Sequence, residues 1–161
     1  MPIRRKKTRP SLSAKHPTHT DAISLPDLCV RAERWLLNTL KCGAVLKGLT
    51  AVTGETPAVI GWRDQHVSHL VACATTLSEF HSDRSKHYRN RSHLGLGIYR
   101  YYMCPSGLIM PDELPPKWGL LYVTPTKVLI KVKAERQDEY SHRAEIAMLV
   151  SAVAQYQKKE A

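Results

Sequence analysis

Apolar residues recur at helical spacing near both ends of the chain. Ser24 and Pro26 are typical of a helix start, as N-cap and first-turn residue. Leu36 and Leu40 follow on one face, so a helix is predicted over 24–41. A second helix is predicted over 137–158, where an apolar stripe comprises Ala144, Met148, Leu149, Ala152, Val153 and Tyr156.

Between these helices, short apolar or alternating segments predict strands over 45–52, 58–62, 67–75, 98–104, 118–124 and 127–133. A polar helix is predicted over 77–91. In the third strand, Leu70, Ala72 and Ala74 should face one side of the sheet, because alternate strand residues point in opposite directions. The pattern predicts an α/β fold with a central mixed sheet flanked by helices.

The N-terminal segment 1–22 is predicted to be a disordered basic arm, and residues 23–161 a single domain. Up to residue 20 the arm contains three prolines and no acid. Its basic residues are Arg4, Arg5, Lys6, Lys7, Arg9 and Lys15. The arm either contacts phosphates or targets the protein, or it only increases solubility.

Charge points to a polyanionic partner. The 161-residue chain has a net charge of +10, and nucleic acid is the usual partner of such a surplus; a generic basic protein is the alternative. The sequence contains neither a secretory apolar stretch nor a run long enough to span a membrane, so a cytoplasmic protein is expected. Four cysteines without CxxC spacing are expected to be reduced thiols rather than zinc ligands.

Several segments together resemble one protein family. They are 53–62, 70–76, Ser78-Glu79-Phe80 with Asp83, Lys86 and Arg89, then 99–109 and 113–123. These segments, within about residues 28–133, resemble the PD-(D/E)XK nuclease superfamily, and in particular the MmcB-like group of bacterial and phage DNA-repair nucleases. The resemblance implies a restriction-endonuclease-like core and phosphodiester hydrolysis of DNA with Mg²⁺ or Mn²⁺, in a bacterial or phage-infected cell.

The chain departs from this family at the catalytic positions. Pro57 is kept, but Ala58, Ala72 and Ala74 occupy the positions of the family's Asp, Glu and Lys. In active relatives the two carboxylates hold the metal against the phosphate, and the lysine helps to activate the attacking water. Three alanines look like deliberate substitution in a disabled nuclease that binds nucleic acid without cutting. One alternative is a natural pseudo-nuclease, which binds DNA or a repair or mobile-element partner. Another is that the three alanines are ordinary small residues of buried strands.

Further residues are candidates for the site. Glu33 could lie beside the metal position or be a solvated helix residue. Glu55 could reach the edge of the site, but its position favours a turn residue. Weak or absent Mg²⁺ binding is expected, and no cofactor in this form. Phosphate contacts are predicted for the arm residues Arg4, Arg5, Lys6 and Lys7 and for Arg84, Lys86, Arg89, Arg91 and Arg100, with a solvated helix face or core packing as the alternative. A homodimer and a protein partner are left open.

Overall fold

A six-stranded mixed sheet forms the centre of the protein. The computed structural model describes residues 22–161, so the predictions for the arm fall outside the described residues, apart from Ala22. The strands are β1 (Ala44–Leu46), β2 (Val59–Arg63), β3 (Val67–Cys73), β4 (Tyr99–Pro105), β5 (Gly119–Val123) and β6 (Val128–Val132). They lie in chain order, with β3, β4 and β5 parallel and the other neighbours antiparallel.

Helices cover both faces of this sheet. They are α1 (Leu25–Arg34), which continues as a π-helical turn (Trp35–Thr39), α2 (Leu77–Arg84), α3 (His87–Asn90) and α4 (His142–Glu160). Short 3₁₀ turns, Ser92–Leu94 and Pro111–Glu113, lie in the loops before and after β4. No helix within residues 22–161 has the length and apolarity needed to cross a membrane.

Two hydrophobic cores result, one on each face. The α1-side core includes Leu28, Ala32, Trp35, Leu36, Val59, Val71, Tyr101, Met103 and Leu121. The α2-side core includes Ile60, Leu70, Ala72, Ala74, Phe80, Tyr102, Leu120, Ala144 and Met148. Successive residues of β3 therefore enter opposite cores, as the alternation predicted. The predicted α/β class, with a mixed sheet flanked by helices, is confirmed.

Two element boundaries were predicted wrongly. The strand predicted over 45–52 is only β1, because Gly48 adopts a φ of 68° and turns the chain out of the sheet. The last helix starts at His142 rather than 137. The backbone N–H of Gln137 instead donates to the carbonyl oxygen of Ile98 at 2.8 Å, and Ser141 caps the helix by accepting from the backbone N–H of Ala144.

The polar helix predicted over 77–91 is divided. Thr76 caps α2 by accepting from the backbone N–H of Glu79, and α2 ends at Arg84. Lys86 has an extended conformation, and α3 is a separate four-residue helix. The break changes the direction of the chain after α2, and Arg89 on α3 is directed into the protein as a result.

Candidate nucleic-acid interface and the alanine positions

Two of the three alanine positions lie inside the α2-side core. Ala72 is 7% exposed and Ala74 is 1% exposed. The parallel neighbour of Ala72 on β4 is Tyr102, whose ring contacts Phe80 at 4.8 Å between centroids. The α2-side core therefore closes over these alanines, and they do not line an open cleft.

Ala58 has a different environment. The β2–β3 ladder ends at Val59 opposite Val71, so Ala58 and Ala72 follow directly beyond the last pair. However, Ala58 is half-buried and packs against the α1-side core, whereas Ala72 belongs to the other core. The three positions are thus neighbours along the sheet, but their side chains do not share one face.

The residues around these positions do not fit a magnesium site. The alanine side chain has no atom that can bind a metal, and Mg²⁺ requires several oxygen ligands in octahedral geometry. Glu33, on α1, pairs instead with Lys47 at 2.7 Å, and α1 covers the face opposite Ala72. Within residues 22–161, no three His, Cys, Asp or Glu side chains form a group that could hold a metal. Glu33 is therefore engaged in an ion pair, on the side of the sheet opposite to Ala72.

Glu55 was predicted at the site edge or as a turn residue. It lies at the turn before β2, and it is 1% exposed. One carboxylate oxygen of Glu55 accepts from Arg89 Nη1 at 2.5 Å, and the other accepts from the backbone N–H of Leu96 at 3.0 Å. Glu55 therefore joins the loop before β2 to α3 and to the segment that leads into β4.

Arg89 lies between two carboxylates. Besides Glu55, it binds Asp83 through Nε at 2.8 Å, and Tyr102 donates its hydroxyl to the same Asp83. The guanidinium also lies over the Trp118 ring, 4.9 Å from its centroid. Burial alone would lower the pKa of Arg89, but the two carboxylates outweigh burial and raise it above the ordinary value. Arg89 is thus a fixed structural cation, and the prediction that it contacts phosphate was wrong.

Arg100 is likewise internal. It is 1% exposed, and its guanidinium donates to the backbone carbonyls of Gly97, Ser92 and Glu139. Gly95 leaves room for it, since a Cβ there would lie 2.6 Å from Arg100 Nη1. Burial lowers the pKa of Arg100 to about 10, so it remains charged at neutral pH. Its predicted phosphate contact was wrong, whereas the alternative of core packing is correct.

The remaining bases of the 84–91 segment form no strong positive patch. Arg84 donates to the carbonyl oxygen of Glu113 at 2.7 Å, while Lys86 and Arg91 are exposed. Lys86 lines a surface cavity of about 420 Å³ together with Glu79 and Asp83. Because Arg89 already binds Asp83 and Glu79 opposes Lys86, this cavity has no excess of positive charge for a phosphate.

A positive groove lies on the other face, at a place that no sequence pattern indicates. Its first part is a depression of about 330 Å³ between the α1 π-helical turn and β6. Arg31, Arg34 and Trp35 line one wall, and Val128 and Ile130 line the other. A π-helical turn widens the helix, and such turns are frequent at functional sites.

The second part of the groove is a cavity of about 320 Å³ at its far end. Its lining includes Arg63, His69, Tyr99, Tyr101 and Lys133. Both parts lie on the α1 side of the sheet, where Trp35 of the first contacts Tyr101 of the second edge-to-face at 5.2 Å. We call both parts together the α1-side groove.

The formal charge of the α1-side groove is strongly positive. Arg31, Arg34, Arg63 and Lys133 contribute four positive charges and Asp64 one negative charge, which leaves a formal charge of +3. Arg31 and Arg34 are one helical turn apart, and Arg63 and Lys133 lie in other parts of the sequence. No run of basic residues therefore indicates the groove. Only the fold brings them together.

A pair of thiols lies near Glu33 and Lys47. The neighbouring Cys73 thiol, with a smaller contribution from Lys47, lowers the pKa of Cys29 to about 7 against the opposing effect of burial. By contrast, burial raises the pKa of Cys42 to about 11. All four cysteines are unbonded, as predicted, and Cys29 is the one with substantial thiolate at neutral pH.

We predict that Glu55→Gln destabilises the protein by about 3–5 kcal/mol, because it removes a carboxylate from the buried Arg89 and leaves that charge undercompensated. Asp138→Asn is a matched control, since Lys117 and Asp138 form a pair at 2.6 Å in which Asp138 is 84% exposed. The control should lose about 1 kcal/mol or less. Urea unfolding measures both, and equal small losses would contradict the structural role of the buried pair.

Comparisons with known proteins give a structural likeness without a functional one. No protein-family model and no curated protein matches the chain. The structure is similar to that of SPO1766, a protein of unknown function from Silicibacter pomeroyi, with a TM-score of 0.62 and 14% sequence identity. The match covers 84% of this chain and 90% of the other. At this identity the likeness shows a common fold alone.

Proposed function

We propose that this chain binds nucleic acid through the α1-side groove and does not cleave it, as a catalytically disabled relative of the PD-(D/E)XK nucleases. Four cations from three separate segments of the chain line the α1-side groove, and this arrangement is the strongest support for binding. Basic side chains that neutralise phosphates provide most of the affinity of non-specific binding. DNA is the partner that the family resemblance favours.

The alanines support the absence of cleavage. Hydrolysis in this family needs metal-binding carboxylates and a water-activating lysine, and Ala58, Ala72 and Ala74 provide none of these groups. Two carboxylates beside the α2-side core, those of Glu55 and Asp83, are already bound by Arg89. The mixed sheet flanked by helices agrees with the fold class that the resemblance implies.

A natural non-enzymatic binding module is a second candidate, and the packing of the alanines favours it. Ala72 and Ala74 lie with Phe80 and Tyr102 in a closed core, and Ala58 faces the other core. Charged side chains at 72 and 74 would enter an apolar environment, which costs free energy unless they are paired. A scaffold that evolved as a binding protein has no such difficulty. The binding surface is the same for both candidates.

We predict that the double variant Arg34→Gln/Lys133→Gln binds a short DNA duplex about tenfold more weakly at low salt, because two phosphate-binding cations are removed. The slope of log affinity against log salt should decrease by about 2, near one unit for each cation removed. Fluorescence anisotropy at several salt concentrations measures both quantities.

The control is Arg143→Gln/Lys158→Gln on α4, which has the same change in net charge. Both of these residues are exposed, and α4 packs on the opposite face of the sheet. The control variant should keep its affinity within about twofold. If both double variants lose affinity equally, only net charge matters and the groove is not the interface.

The triple variant Ala58→Asp/Ala72→Glu/Ala74→Lys distinguishes the two candidates. A disabled nuclease should regain Mg²⁺-dependent cleavage of DNA, because both metal ligands and the lysine are restored. The matched control, Ala58→Asn/Ala72→Gln/Ala74→Lys, has similar side-chain volumes without the carboxylates and should not cleave. A triple variant that is folded by circular dichroism, binds DNA and leaves it intact would contradict the disabled-nuclease origin and support the binding module.

A further inference from the structure

The cavity at the far end of the α1-side groove combines three features. It is lined by the aromatic rings of Tyr99 and Tyr101, by the two cations Arg63 and Lys133, and by a buried imidazole, His69. Its volume of about 320 Å³ is at the lower end of the range for small-ligand sites. It therefore suits a small ligand with a flat ring and a negative charge.

His69 is a buried polar residue in the lining of this cavity. His69 is 7% exposed, and its Nδ1 is buried without a hydrogen-bond partner among the described residues. Burial lowers the pKa of His69 and so favours the neutral ring. Nε2 is then the ring nitrogen that can accept or donate a hydrogen bond to a ligand.

Tyr99 provides the flat surface. Its ring stacks on His69 with centroids 5.0 Å apart and an interplanar angle of 14°. Unlike Tyr101 and Trp35, which are 5% exposed, Tyr99 is only half-buried, and so part of its ring is accessible from the cavity. Stacking of a base on an accessible aromatic ring stabilises the binding of single strands.

Two exposed cations line the same cavity. The Arg63 side chain is 51% exposed and only weakly held by Asp64, at 3.7 Å. Lys133 is also exposed and follows directly after β6. A ligand in the cavity would have its anionic group near two exposed donors and its ring near Tyr99.

We propose that this cavity holds one unpaired nucleotide, with its base against Tyr99 and its phosphate between Arg63 and Lys133. The inference deepens the proposed nucleic-acid binding and rests on it for the source of the nucleotide. A base within a duplex is paired and stacked on both sides, and so it cannot enter a cavity of this size. The expected ligand is therefore a strand end or a single-stranded segment, and the same chemistry would accept a free mononucleotide.

The test compares a fluorescein-labelled twelve-nucleotide DNA single strand with the blunt duplex of the same sequence, both by anisotropy, and free dAMP by calorimetry. Tyr99→Leu should weaken single-strand binding about tenfold, because the stacking of one base is removed, and change duplex binding by less than about twofold. His69→Phe keeps a ring but removes the nitrogens, and should weaken single-strand binding several-fold. Tyr156→Leu, at an exposed tyrosine of α4, is the matched control and should change neither.

Lys133→Gln is a second variant that should fold normally, because Lys133 is exposed and its replacement leaves the core intact. It should weaken binding of both the single strand and the duplex. If the wild type binds both DNAs but Tyr99→Leu and His69→Phe bind the single strand normally, the nucleotide cavity is overturned and the proposed function stands.

If the wild type binds neither DNA but binds dAMP in a Tyr99-dependent manner, the cavity is upheld with a free nucleotide as its ligand, and the proposed function fails. If it binds neither DNA nor dAMP, both proposals are overturned.

Discussion

The ion pair between Arg89 and Glu55 joins the parts of the chain on which the remaining structure depends. Glu55 lies in the loop before β2, and Arg89 lies on α3, 34 residues later. Asp83 from the end of α2 and Tyr102 from β4 complete the network. Because both charges are almost fully buried, neither can be solvated if the other moves away. The pair therefore fixes α2 and α3 over the sheet and closes the α2-side core.

The two faces of the sheet differ as a consequence. On the α2 side, Ala72 and Ala74 lie in a packed core with aromatic rings, and the nearby carboxylates are engaged by Arg89. On the α1 side, Arg31, Arg34, Arg63 and Lys133 line the two parts of the α1-side groove. If the proposed function is correct, the face that would carry out hydrolysis in an active nuclease has become structural core, and the opposite face provides a surface for phosphates.

Sequence patterns predicted the elements that depend on local spacing. The alternation in β3 assigned Leu70 and Ala72 to one face, and the structure confirms it. Burial of ionised side chains was not predictable, since the partner of Arg89 is distant in sequence and Arg100 donates to backbone carbonyls. The α1-side groove was missed for a similar reason. Its four cations span residues 31 to 133, whereas the densest basic segment of the domain is 84–91, where Arg89 is neutralised by acids.

The most direct test of binding without cleavage follows one DNA molecule for both outcomes. End-labelled DNA, single-stranded and duplex, is incubated with the full chain at low salt in the presence of magnesium, and retention on a filter and strand length on a denaturing gel are read from the same samples. We expect salt-sensitive retention with every retained strand at full length. Shortened strands would contradict the loss of catalysis, and failure to retain any DNA would contradict nucleic-acid binding itself.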